Sequence, residues 1–168
     1  MEINYNTKNR GMLLEKIIND TNAFYLINKV ALIHKKNLDI KFKAVNVEKK
    51  QLKTRDAFII GKSNVDYYGV YRGKFIAFEC KSTEENKLPK HSIREHQFEY
   101  LDLVMKFDGV AFWILFYKLT NEFILINHAD FKKHFLKRKS LSNEEARLIG
   151  KIVPLNFPGV IDYLSMLN

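Results

Sequence analysis

The sequence predicts a single mixed α/β domain, a sheet with helices on its faces. Two stretches of apolar residues recur at helical spacing, Gly11 to about Asn28 and Ser92 to Phe107. Short β-branched and aromatic runs lie before, between and after them. The resulting order of helix, strands, helix, strands, helices carries no repeat and no linker, which points to one sheet covered by helices. A chain of 168 residues, 46% hydrophobic and 13% aromatic, is long enough to close a core of that kind.

Taken in order, residues 1–9 are polar and predicted to be loose. In the first helix Leu14, Ile17, Ile18, Thr21, Phe24 and Tyr25 share a face, and Asn9 is the expected N-cap. Val30 to His34 reads as a strand. Ile40 to Val47 alternates lysine with apolar residues, and Ala57 to Ile60 is apolar again. Joined by a lysine-rich tip, these two runs predict a projecting ribbon. After a polar link through Pro89, Ser92 and Glu95 have the spacing of a capping box for the second helix. Its stripe is Phe98, Leu101, Val104 and Met105, Gln97 lies beside that stripe, and Gly109 follows its end. Val110 to Tyr117 and Phe123 to Ile126 read as strands joined near Thr120-Asn121. Ala129 to Lys137 is a short helix, Ser142 and Glu145 cap another ending near Gly150, and Pro154 and Pro158 break the tail before a last turn at Ile161 to Leu167.

The chemistry concentrates in Val65 to Ser82. A two-residue turn at Arg72-Gly73 pairs residue 71 with 74, and counting back sets Asp66 across from Glu79, with Cβ atoms roughly 4.5–5.5 Å apart. Strand alternation turns Glu79 and Lys81 to one face and Ile76, Phe78 and Cys80 to the other. Two facing carboxylates repel unless a cation or a shared proton lies between them. Two acids and a lysine around a divalent metal are what phosphodiester hydrolysis requires. A lone Glu-x-Lys is also the ordinary solvated face of an edge strand, so the motif alone leaves both readings open.

Charge points the same way. Formal net charge is +9, and residues 35–62 hold two-thirds of that excess. Lys41, Lys43, Lys49, Lys50, Lys53 and Arg55 crowd the predicted ribbon, as in a nucleic-acid footprint or a solvated lysine face. No apolar run approaches the roughly 18 residues a membrane helix needs. The N-terminal residues lack the apolar stretch of a signal peptide. The lone Cys80 excludes an internal disulfide, fits a reducing cytoplasm and is expected to be buried and inert. The five histidines have no zinc-ligand spacing with it.

The stretches NRGMLLE (9–15), NDTNAFYLINKVALIHKK (19–36), VDYYGVYRGKFIAFECKST (65–83), REHQFEYL (94–101), DGVAFWI (108–114) and, more weakly, PGVIDYLSML (158–167) resemble the RecU family of Holliday junction resolvases in order and spacing. The resemblance implies a restriction-endonuclease-like mixed central sheet flanked by helices, with a basic stalk at about 38–62. It implies a homodimer that nicks four-way DNA junctions symmetrically in the bacterial cytoplasm, with Mg²⁺ or Mn²⁺ as cofactor. Recombination and branch-migration proteins would be among its partners. By position, Asp66, Glu79 and Gln97 match metal ligands, and Lys81 matches the lysine that stabilises the transition state. Glu15 matches a first-helix acid and Arg10 a phosphate contact. One departure stands out: the family threonine ahead of the hairpin aspartate is replaced by Asn64 and Val65. Valine cannot ligate, so Asn64, water or the Cys80 carbonyl would complete the shell. A duplex-cutting nuclease of the same fold and a non-cutting junction-binding protein are the competing readings.

Overall fold

A computed structural model of the chain describes residues 11–37, 39–43, 45–48, 51–54, 57–61 and 65–167. Helix α1 (Met12–Ile27) leads into strand β1 (Ala31–Lys35). Four short strands follow: β2 (Asp39–Phe42), β3 (Val45–Glu48), β4 (Gln51–Thr54) and β5 (Ala57–Gly61). Next come β6 (Tyr67–Tyr71), β7 (Lys74–Thr83), β8 (Lys87–Pro89) and helix α2 (Glu95–Lys106). The second half runs β9 (Val110–Tyr117), β10 (Glu122–Asn127), α3 (His128–Lys137), β11 (Ser140–Ser142) and α4 (Asn143–Ile149). It ends with β12 (Lys151–Val153), β13 (Leu155–Asn156), β14 (Val160–Ile161) and a 3₁₀ turn over Leu164–Leu167.

The central sheet has the order β1-β6-β7-β9-β10-β12. Only its β7–β9 pair is parallel, which makes the sheet mixed. That parallel pair needs a crossover, and α2 supplies it. Buried on both faces, β9 is a continuous apolar run with Phe112, Trp113 and Ile114 fully enclosed. One face packs under α1 and the tail: Phe78 stacks on Phe112 with ring centroids 4.7 Å apart, and Tyr163 closes over both. The other face packs under α2, α3 and α4, with Trp113 stacked on Phe131 at 4.2 Å. Each such enclosed side chain contributes about 1.5–3 kcal/mol of transfer free energy. Gly69 lets β1 cross β6 closely, since a Cβ there would lie 2.1 Å from the Leu32 carbonyl oxygen.

The mixed sheet flanked by helices is as expected, with several local differences. Gly11 occupies the N-cap of α1, without a side-chain cap; Asn9 lies outside the described residues. Phe24 and Met105, assigned to buried stripes, are exposed, whereas Asn22 and Gln97 are buried. Ser92 does not cap α2: its hydroxyl donates to the Pro89 carbonyl inside a 3₁₀ turn, and the capping box belongs to Arg94 and Gln97. The Ser142–Glu145 box on α4 forms as expected. The small β8–β11 ladder and the edge strand β12 left no signal, because three-residue strands are too short to show a period. In the basic insertion β2 pairs with β5 and β3 with β4, so the expected two-run ribbon is a pair of antiparallel ladders.

Candidate active site

The β6–β7 hairpin sets the register. Arg72 and Gly73 both have positive φ (49° and 75°), as a tight two-residue turn requires. Pairing then runs from Tyr71↔Lys74 to Tyr67↔Phe78, which brings Asp66 opposite Glu79 as the count predicted. Two backbone contacts hold Asp66 there: its carbonyl accepts from Lys36 N–H at 2.8 Å, and its Oδ2 accepts from Cys80 N–H at 3.0 Å. Both ends of the basic insertion meet at this point, because Lys35 at the end of β1 pairs with Tyr67 at the start of β6.

Glu79 is fully enclosed (0% exposed), and its Oε1 is buried without a hydrogen-bond partner among the described residues. Its Oε2 accepts from Gln97 Nε2 at 2.5 Å, and Lys81 Nζ lies 3.8 Å away. Burial pushes the Glu79 carboxyl up to about 9; the Asp66 charge adds to the rise, and Lys81 partly opposes it. A carboxyl in this position is stable either protonated or beside a cation.

Gln97 is locked at both ends of its amide. While Nε2 donates to Glu79, Oε1 accepts from Arg94 N–H at 3.0 Å and so caps α2. The two contacts fix which end is oxygen, and that oxygen faces the helix terminus. The glutamine expected as a metal ligand is therefore placed as the donor that orients Glu79.

A cleft of about 270 Å³ opens beside these groups, with Glu15, Lys35, Asp66, Lys81 and Ser82 among its walls. Glu79 is not on the wall. Glu15 reaches the cleft from the first turn of α1 and is paired with Lys35. Sequence reading missed Lys35; its only signal was its place at the end of the predicted strand, beside a paired lysine. Val65 is buried in the apolar cluster under α2 and contributes nothing polar. Cys80 packs against the core on the opposite face from Glu79, and burial pushes its thiol well above the ordinary range, as expected of an inert cysteine.

The donor set suits a hard divalent cation. It offers two carboxylates on neighbouring strands, one with an orphaned buried oxygen. No group of three or more His, Cys, Asp or Glu able to hold a metal occurs among the described residues. A cation shared by Asp66 and Glu79 would therefore complete its shell with water and backbone carbonyls, as Mg²⁺ commonly does. Of the basic residues, Lys41 and Lys43 are exposed on or beside β2, and Lys53 is on β4. Arg10, Lys49, Lys50, Arg55 and Asn64 lie outside the described residues.

A family model described as Recombination protein U matches residues 9–168. The Holliday junction resolvase RecU of Mycoplasmopsis pulmonis is 38% identical over 157 residues, covering 94% of this chain and 92% of that protein. The Holliday junction resolvase RecU of Bacillus cytotoxicus is 33% identical over 171 residues, covering 95% and 84%. Among solved structures, the Holliday junction resolvase Hjc of Archaeoglobus fulgidus aligns with a TM-score of 0.49 at 12% identity, covering 81% of this chain and 93% of that one.

Proposed function

Since this chain belongs to the RecU family, we propose that it is a metal-dependent endodeoxyribonuclease that resolves four-way DNA junctions in recombination and repair. The observation that carries this reading is the enclosed Glu79 carboxylate facing Asp66, with one oxygen that no donor satisfies. An acid so placed makes little sense for stability and good sense as half of a cation site.

Asp66 and Glu79 hold Mg²⁺ in this reading, and Mn²⁺ substitutes because it too takes oxygen ligands. The bound cation would supply Lewis-acid charge at the scissile phosphate and acidify the attacking water. The remaining work falls to the chain. Asp66 is fixed through the Cys80 N–H, and Glu79 through Gln97, so neither carboxylate reorganises on binding. Lys81 sets a positive charge within reach of the same phosphate, where negative charge grows in the transition state. Glu15 and Lys35 close the far wall of the cleft, where they orient water or a phosphate oxygen. Lys41, Lys43, Lys49, Lys50, Lys53 and Arg55 on the insertion, with Arg10 near the N-terminus, bind the DNA backbone. The insertion leaves and re-enters the fold at Asp66, so DNA gripped by it is carried to the catalytic acids. A homodimer presents two centres and nicks two strands of like polarity. Its place of action is the nucleoid, alongside recombination and branch-migration proteins.

Labelled four-way junction and matched linear duplex, incubated with Mg²⁺ or chelator, test the reading. Metal-dependent paired nicks confined to the junction are expected. Equal cutting of both substrates would favour a general duplex nuclease, and tight binding without cutting a junction-binding regulator. Glu79→Ala is expected to bind the junction as wild type does and to lose at least about 10³-fold in cleavage. Near-normal cleavage by that variant would remove Glu79 from the site.

A further inference from the structure

The helices cover the two faces of the sheet unequally. On the face that carries Asp66 and Glu79, α2, α3 and α4 pack over β7, β9 and β10, and the β1–β6 edge has no helix above it. Leu32, Val70 and Phe75 form one cross-strand row on that bare face, exposed by 46%, 47% and 41%. Phe75 continues into a groove shared with Tyr100, Leu103 and Phe107 on the outer flank of α2. In that groove Leu103 is 47% exposed and Phe107 76%. At about 150–200 Å² per side chain, these five residues leave on the order of 450 Å² of continuous apolar surface.

We propose that this surface is where a second copy of the chain docks. The proposal rests on the junction-resolvase reading, which calls for two centres, and adds which face joins them. The area is more than half of the roughly 800 Å² per partner in a standard interface, a fitting size for its apolar centre. A groove beside a ridge is self-complementary: under a two-fold rotation the Leu103–Phe107 ridge of one copy enters the groove beside Phe75 of the other. Charge favours a like partner. Each copy carries +9 and repels another at long range, so the contact between them must be uncharged, and these five side chains are. An acidic partner or DNA would instead be met by cations. The position is also productive. The Leu32–Val70–Phe75 row lies four strand residues from Asp66 on the same face, about 13 Å. A two-fold axis through this surface therefore sets both centres on one side of the dimer.

Sedimentation equilibrium on the full chain provides the test. Wild type is expected at the mass of two chains. Val70→Asp combined with Phe107→Asp is expected at one, with a circular dichroism spectrum like wild type. Leu148→Asp, at an exposed apolar position on α4, is expected to remain at two. On a junction, the double variant should make single nicks where wild type makes paired ones. A wild-type mass of one chain overturns the proposal, while the cleavage assay still decides the nuclease reading separately. A double variant that stays at two chains overturns the assigned face and leaves the dimer intact. Lost junction affinity without a change of mass would reassign the surface to DNA. Should the double variant not fold, hydrogen exchange on wild type diluted through its dissociation range gives the answer. Amides in 67–75 and 100–107 are expected to lose protection, and loss only elsewhere overturns the assignment.

Discussion

Glu79 and its neighbours set the behaviour of the site at the scale of the single residue. The carboxyl is raised to about 9 in the fold, from an ordinary value near 4.5 in the unfolded chain. Between those values the native state holds a proton that the unfolded state has lost, so metal-free stability falls as pH rises from about 4.5 to about 9. Glu79→Gln removes this dependence. The variant is expected to melt on the order of 5–10 °C above wild type at pH 8 without metal, and close to wild type at pH 4.5. Parallel melting curves at both pH values would show that Glu79 is solvated in the native protein. Divalent cation reverses the effect, because only the charged wild-type side chain gains from it. Mn²⁺ should therefore stabilise wild type and leave Glu79→Gln nearly unmoved.

Element-scale geometry decides whether these groups meet. The β6–β7 register depends on a turn with two positive-φ residues, and one residue of slip would turn Glu79 into the apolar face with Phe78. At Gly69 the β1 backbone comes too close for a side chain, so Gly69→Ala is expected to destabilise by about 1–3 kcal/mol, read as a lower denaturation midpoint. An unchanged midpoint would mean that β1 can move away freely. Helix α2 is tied to the site through one residue, since the Gln97 amide caps its N-terminus and orients Glu79. Gln97→Glu keeps the cap and removes the donor, so it should preserve helix content while weakening Mn²⁺ affinity about tenfold, measured by calorimetry. If affinity were unaffected, the tie to Glu79 would be incidental.

Across the whole molecule, the basic insertion and the catalytic cleft share one end of the β1–β6 ladder, which couples grip to cutting. Replacing Lys41, Lys43 and Lys53 together by alanine is expected to weaken junction binding and to flatten its dependence on log salt by up to about three contacts' worth. Cleavage at saturating enzyme should change far less. An unaltered salt slope would take these lysines off the DNA.

The acid–acid pairing was legible in the sequence because strand alternation and a two-residue turn are local rules, and together they specify which side chains face each other. The helices were legible for the same reason, since a 3.6-residue period shows within one segment. The role of Gln97 was not, because its partner is eighteen residues away on a different element and its oxygen is drawn to the backbone of Arg94. Lys35 joined the cleft only when β1 paired with β6 and α1 brought Glu15 beside it. The amino-acid order by itself determined a hairpin that opposes two carboxylates, along with a basic ribbon next to it. Tertiary packing alone decided that one of those acids is sealed from water and left an unpartnered oxygen, because burial depends on what the remote helices cover. The same packing left half of one sheet face bare.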